Sequence, residues 1–325
     1  MKVLIYTRPP DHGSSITARH WNAALRRNGM ERLEHELVLC HSCDGLADHL
    51  PSSDIVVSSK ADLRAYLSVA PANIKLIFFA FAGVDHLAPF DWVPAGAYVV
   101  NNSGATGRAI GEFTIFALQI LANGIVGRER PPFVFSASQS GFASLAGLSV
   151  TVVGAGGAGR GVAAMCRAFR MTVHGVRRSG LEDPNFDTMA PASQLGTAIA
   201  GSDFVIIACP VTSETRGLFD RSMIACMKPG ACLVNVARGA IVDEEAVCDA
   251  VESGALGGAV LDVVTASAGP AARVRNTPGI LVTPHVSGDD KHHFIDNSLD
   301  VFMTNLRQLQ DSKVPDNAVD FDLGY

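Results

Sequence analysis

The chain has 325 residues, 48% hydrophobic and 18% charged, which is enough for two domains with sizeable cores and excludes a disordered or fibrous protein. A net charge of −6 with no basic block argues against nucleic acid or an anionic membrane as the main partner, since both need clustered Lys and Arg. The most apolar long segment, 109–127, carries Glu112, Gln119 and Asn123, and the N-terminal run holds no signal-peptide core, so no membrane partner and a cytoplasmic location are expected.

Residues 2–7 read as a first strand and 16–27 as a helix stopped by Asn28-Gly29. Further strands at 36–40, 54–58 and 76–79, with a helical pattern over 62–69, alternate as a parallel sheet with crossovers does. After the fourth strand, the small-residue stretch around Ala82-Gly83 either presents bare backbone N–H groups to an anion or is an ordinary turn. A strand at 98–100 is broken by Asn101-Asn102-Ser103-Gly104 before a long helix over 106–122, and the crossing into a second domain falls here. Residues 127–144, rich in Pro, Ser and Gly, form a connecting loop.

The stretch 150–180 organises the rest. Val150, Val152 and Val153 make a β-branched run, then Gly154, Gly156 and Gly159 stand at G-x-G-x-x-G offsets, followed at once by a helical pattern through Phe169 and a second strand. The glycines allow a tight turn and close approach to a pyrophosphate, and the first helical residues, Gly157 and Ala158, offer unpaired N–H groups at a positive dipole end. A dinucleotide is expected there. Where an NAD site offers an acid to the ribose 2′-hydroxyl, this chain has Arg177-Arg178-Ser179, which suits a 2′-phosphate and favours NADP over NAD. Two solvated arginines at a strand end would look the same.

Strands at 204–208, 232–236, 259–263 and 280–283 complete a doubly wound sheet, and a last helix over 293–310 returns to the first domain. The expected architecture is α/β, two Rossmann-like doubly wound parallel-sheet domains with a cleft between them: a discontinuous substrate domain, 1–101 plus 288–325, and a dinucleotide-binding domain, 102–287. The seven cysteines, odd in number and mostly in apolar runs, suggest reduced thiols, and Cys40-His41-Ser42-Cys43 lacks the second ligand pair of a metal site, so no metal is expected.

Three more stretches bear on function: Asn235-Val236-Ala237-Arg238-Gly239, Leu261-Asp262-Val263 and Thr283-Pro284-His285, each at the carboxyl end of a parallel strand, where open α/β sheets bind ligands. With the glycine motif, they make the chain resemble the D-isomer-specific 2-hydroxyacid dehydrogenase family from about Val57 onward. The resemblance implies that Arg238 binds the substrate carboxylate and polarises the keto oxygen, that His285 is the general acid and base, and that backbone N–H groups of Ala82 and Gly83 hold the same carboxylate. It further implies that Asp262 orients the nicotinamide amide and that Cys209, Pro210, Thr215, Val236 and Ala237 line the cofactor with His285. Physics agrees for the two leading residues, because a guanidinium is permanently charged and forks onto a carboxylate, and an imidazole protonates an alkoxide near neutral pH. A homodimer joined through the nucleotide-binding domain is implied as well.

One departure stands out. The family's Glu, five residues after the Asp of its L-D-V motif and paired with the catalytic His, is Ser267 here, and no Asp or Glu lies between Asp262 and His285. Reduction is then expected to be favoured at mildly acid pH. Asp289 or Asp290 either supplies the missing charge or serves as a solvated helix N-cap. The leading expectation is an oxidoreductase passing hydride between NADP(H) and C2 of a small 2-keto or D-2-hydroxy acid. The alternative is a catalytically weak or inactive NAD(P)-binding sensor on the same fold.

Overall fold

The computed structural model describes residues 1–9, 15–67, 73–126, 142–265 and 270–325. The chain divides into two compact units, Met1–Thr106 with Asp290–Tyr325, and Gly107–Asp289.

The first unit contains β1 (Lys2–Tyr6), α1 (Ala18–Arg27), β2 (Glu36–Cys40), α2 (Cys43–His49), β3 (Ile55–Ser58), α3 (Leu63–Leu67), β4 (Leu76–Phe79) and β5 (Tyr98–Val100). Its sheet is parallel throughout in the order β2-β1-β3-β4-β5. Covered on both faces, β3 (Ile-Val-Val-Ser) and β4 (Leu-Ile-Phe-Phe) are buried throughout and apolar but for Ser58, as central parallel strands are. Thr17 caps α1, and Asn28 ends it one residue before Gly29, which has φ +63°. The chain's last helix belongs to this unit: Phe302, fully buried, meets Trp21 at a tilt and Phe78 edge-on at ring-centroid distances of 5.6 and 5.5 Å.

The second unit runs α4 (Gly107–Ala122), β6 (Ser149–Val153), α5 (Gly157–Ala168), β7 (Thr172–Arg177), β8 (Thr188–Pro191), α6 (Leu195–Ile199), β9 (Phe204–Ile207), α7 (Arg221–Ala225), β10 (Cys232–Asn235), α8 (Glu244–Ser253), β11 (Gly258–Leu261), α9 (Pro270–Asn276) and β12 (Ile280–Val282); α10 (Phe294–Gln310) is the returning helix. Seven parallel strands lie in the order β12-β11-β10-β9-β6-β7-β8. The order reverses at β6, the first strand of the unit, which makes the turn after it a topological switch point. The strand β8 was not legible from sequence: Thr-Met-Ala-Pro has no apolar run, and its Pro fits only an edge. The strands expected to reach 208, 236, 263 and 283 stop one or two residues sooner, because the following residues turn away to build the site. Most of the expected 127–144 loop, through residue 141, lies outside the described residues. No helix among them is long and apolar enough to cross a membrane.

Candidate active site

Hydrogen-bond register sets the site. Val176, Val153, Ile207, Asn235, Leu261 and Val282 pair side by side across six neighbouring strands, so the residues that follow them leave the sheet along one carboxyl edge. The glycine turn, Arg238, Asp262 and His285 all start from that line. The exits of β10 and β12 are two strand spacings apart, about 10 Å.

The turn after β6 is built by leaving side chains out. Gly154 has φ +109°, and a Cβ there would stand 2.6 Å from the Cys209 nitrogen; one on Gly159 would stand 1.8 Å from the Gly154 carbonyl oxygen. Strand, turn and helix can therefore close this tightly only with glycine. Gly156, by contrast, faces open space and caps α5 with no side-chain hydrogen bond, and the first turn of this 12-residue helix carries no acid. Its leading N–H groups and positive dipole end are directed at the open side of the turn beside Gly156, the fit a pyrophosphate requires. Next along the edge, Arg177 is half-buried while Arg178 and Ser179 are exposed. Arg160 of α5 is turned instead to Asp183 (2.8 Å). Burial would raise the Asp183 carboxyl, but hydrogen bonds from Asn185 and Arg160 outweigh it and hold it below its ordinary range.

The turn carrying Arg238 hangs on Asn235. This fully buried amide accepts from the Ala237 N–H (3.0 Å) and donates to the Arg238 carbonyl (2.9 Å), which fixes the residues between. A Cβ on Gly239 would meet the Thr265 nitrogen and the Val264 carbonyl carbon at 2.6 Å, so glycine alone lets the turn pass the exit of β11. Arg238 itself is half-buried and bonds the Ala237 carbonyl through Nη1 (2.9 Å). Val236 and Ala237 are buried beside it.

The turn carrying His285 hangs on Asp262. Its Oδ1 accepts from Thr283 Oγ1 (2.5 Å) and the Val286 N–H (2.9 Å), its Oδ2 accepts from the Ser287 N–H (2.9 Å), and its backbone carbonyl accepts from the His285 N–H (2.9 Å). His285 is thereby held at φ +57°, a left-handed conformation that a non-glycine residue adopts at a cost. Burial alone would push the Asp262 carboxyl up; the bonds from Ser287, Thr283 and the backbone outweigh it and keep the carboxyl below its usual range. The imidazole is exposed and has no hydrogen-bond partner among the described residues. Three bonds direct the Asp262 carboxylate, implied by the resemblance to orient the nicotinamide amide, at the turn that carries His285. Asn235, Thr283 and Ser287 as supports were not read from the sequence, although all lie within two residues of the motifs that were.

The remaining candidates fall as follows. Cys209 is buried on the floor of the glycine turn, and burial pushes its thiol up to about 11, so it is a neutral apolar wall. Thr215 Oγ1 donates to the Pro210 carbonyl (2.7 Å) and accepts from the Thr212 N–H (2.7 Å), so it shapes the loop. Ala82 and Gly83 follow β4 in the first unit, Ala82 exposed and Gly83 half-buried. Ser267 lies outside the described residues. The Asp290 carboxylate accepts from the His292 and His293 N–H groups and pairs with the His293 ring (3.2 Å), the arrangement of a helix entry.

A doubly wound sheet with a glycine turn at its switch point and an uncapped helix behind it defines a dinucleotide-binding α/β protein. Residues 134–287 match the model of the D-isomer specific 2-hydroxyacid dehydrogenase NAD binding domain. The chain is 30% identical over 278 residues to D-3-phosphoglycerate dehydrogenase of Archaeoglobus fulgidus, covering 82% of this chain and 51% of that protein. It thus spans about half the length of that relative. Glyoxylate reductase of Thermococcus onnurineus is 24% identical, with 98% of this chain and 95% of that protein covered. A solved D-isomer specific 2-hydroxyacid dehydrogenase family protein from Aeromonas salmonicida superposes with TM-score 0.73 at 25% identity, over 99% of each chain. Residues 134–287 therefore carry the NAD binding domain of the D-isomer specific 2-hydroxyacid dehydrogenase family.

Proposed function

We propose that the protein is an NADP(H)-dependent oxidoreductase interconverting a small 2-keto acid and its D-2-hydroxy acid. The observation that carries the reading is the His285 turn, held in a strained conformation by buried Asp262 on the edge that also bears Arg238 and the glycine cradle. Strain persists where surrounding structure over-determines it, and an exposed ionisable ring presented this way suits proton transfer.

When bound, the nicotinamide supplies or accepts the hydride at C2. Gly154, Gly156, Gly157, Ala158 and Gly159 would hold the pyrophosphate, and Arg177, Arg178 and Ser179 the 2′-phosphate that distinguishes NADP from NAD. Cys209, Pro210, Val236 and Ala237 wall the cofactor, with Thr215 fixing the loop. Arg238 binds the substrate carboxylate with its fork and polarises the keto oxygen. The backbone N–H groups of Ala82 and Gly83 bind carboxylate as well. His285 gives a proton to the C2 oxygen in reduction and takes it back in oxidation. Asp262 keeps the ring in place through Thr283, Val286 and Ser287. A cytoplasmic homodimer is part of the reading, and sedimentation tests the dimer.

The test is steady-state oxidation of NADPH and of NADH with a panel of 2-keto acids. Turnover with NADPH preferred is expected, and replacing His285 by Ala should lower kcat on the order of 10²–10⁴-fold. Tight cofactor binding with no turnover on any member would replace this reading with the sensor.

A further inference from the structure

The segment leaving β7 carries Arg177, Arg178 and Ser179 and then, four residues beyond Ser179, a buried carboxylate, Asp183, that the proposed chemistry does not use. Asp183 Oδ2 accepts from Arg160 Nε at 2.8 Å, and Arg160 stands in the first turn of α5, directly after Gly159. We propose that Asp183 and Arg160 form a clasp that positions the 177–180 turn relative to the pyrophosphate turn, so that discrimination between NADP and NAD depends on two positioning residues in addition to the groups that bind the 2′-phosphate.

The bonding of Asp183 supports this. Its side chain is 2% exposed, and its other oxygen is committed as well, accepting from the Asn185 N–H (3.0 Å) and Nδ2 (2.7 Å). A carboxylate so buried and so fully bonded holds the segment in one place, and removing its cation would leave a buried charge unpaired. The near end of the segment is constrained too. Gly180, at φ +64°, donates its N–H to the Arg177 carbonyl (3.2 Å), and a Cβ on it would stand 3.0 Å from the nitrogen of Pro191, the residue paired with Arg177 across β7 and β8. The turn is thus closed against β8 at one end and tied to α5 at the other. Because α5 is the helix whose N-terminus faces the pyrophosphate, the clasp sets the spacing between two anion sites that one dinucleotide must fill together. Holding that spacing before the ligand arrives lowers the ordering cost of binding. Charge points the same way: an acid this near a 2′-phosphate would oppose it, and the Arg160 guanidinium offsets that charge.

The clasp rests on the NADP reading, and the experiment keeps the two apart. Dissociation constants of NADPH and NADH are measured by fluorescence titration, and those of 2′,5′-ADP and 5′-AMP by calorimetry, on the full chain. The wild type is expected to bind the 2′-phosphorylated member of each pair more tightly. In Arg160→Met, which alters a half-exposed side chain, and in Asp183→Asn, that preference should fall roughly 3- to 10-fold while NADH affinity stays within about twofold. The double variant should fall no further than either single one, since both remove the same bond, and Arg160→Lys should recover part of the loss. Arg167→Met is the control. It removes a different bond from α5, to the Pro184 carbonyl (2.9 Å), and should keep the wild-type preference. A preference unchanged in both single variants, an equal loss of NADPH and NADH, or the same loss in Arg167→Met would overturn the clasp and leave the NADP reading standing. Equal binding within both pairs by the wild type would sink the NADP reading and the clasp with it.

Discussion

Two turns leave the same sheet edge and solve opposite problems. The one after β6 makes room by omission: its glycines let backbone lie where any side chain would collide, and Gly154 takes φ +109° at no steric cost. The one after β12 holds the residue bearing a bulky ring at φ +57° and is pinned by four hydrogen bonds donated to a single residue, Asp262, at the end of the neighbouring strand. An anion needs an empty, donor-lined hollow, whereas a proton-transfer group needs a side chain held in one place. The first demand is met by composition, the second by strain with a compensating anchor.

The contrast can be broken at its anchor. Asp262→Ala removes three accepted bonds and leaves the buried Ser287 N–H without its acceptor, so it should cost about 3–4 kcal/mol in urea unfolding. An unchanged midpoint would mean that the turn holds itself. Next in size, Gly159→Ala puts a methyl against the Gly154 carbonyl oxygen and should cost about 2–3 kcal/mol while weakening cofactor binding, read by unfolding and by NADPH titration. His285→Gly sharpens the comparison by relieving the left-handed residue: stability should rise by about 0.5–1 kcal/mol even as turnover is lost. A fall in stability would deny the strain. The smallest effect is in acid. Asp262 is held below its unfolded value of about 3.9, so its contribution is fully present above that pH and is lost as pH falls through the lower folded value. Stability measured from pH 5 to pH 2.5 should therefore fall more steeply in the wild type than in Asp262→Ala.

How legible the molecule was follows the same division. The strand 76–79 was read to the residue because it is a buried, unbroken apolar run, the edge strands 36–40 and 98–100 because a short, mostly apolar stretch is bounded by polar or small residues, and the glycine motif because absence of a side chain is itself a letter. Arg238 and His285 could be picked out through resemblance, and register places both on one edge. What the sequence hid was support. Nothing in Asn235 or Asp262 announces that its side chain folds back on a turn two to twenty-five residues away, since that depends on strands being neighbours. β8 was missed because an edge strand needs no apolar pattern. The two acids after His285 illustrate the limit of spacing: Asp290 is close in sequence, yet its carboxylate serves the entry to α10.

The anchoring of the His285 turn by Asp262 has a dynamic corollary. Because its amides bond a carboxylate on Asp262, a residue 1% exposed at the end of β11, a strand paired on both sides, they are sheltered by the sheet rather than by the loop they belong to. Deuterium uptake at Val286 and Ser287 should consequently track the slowest protons of β11, so the proposed acid–base residue would ride on one of the most rigid parts of its unit.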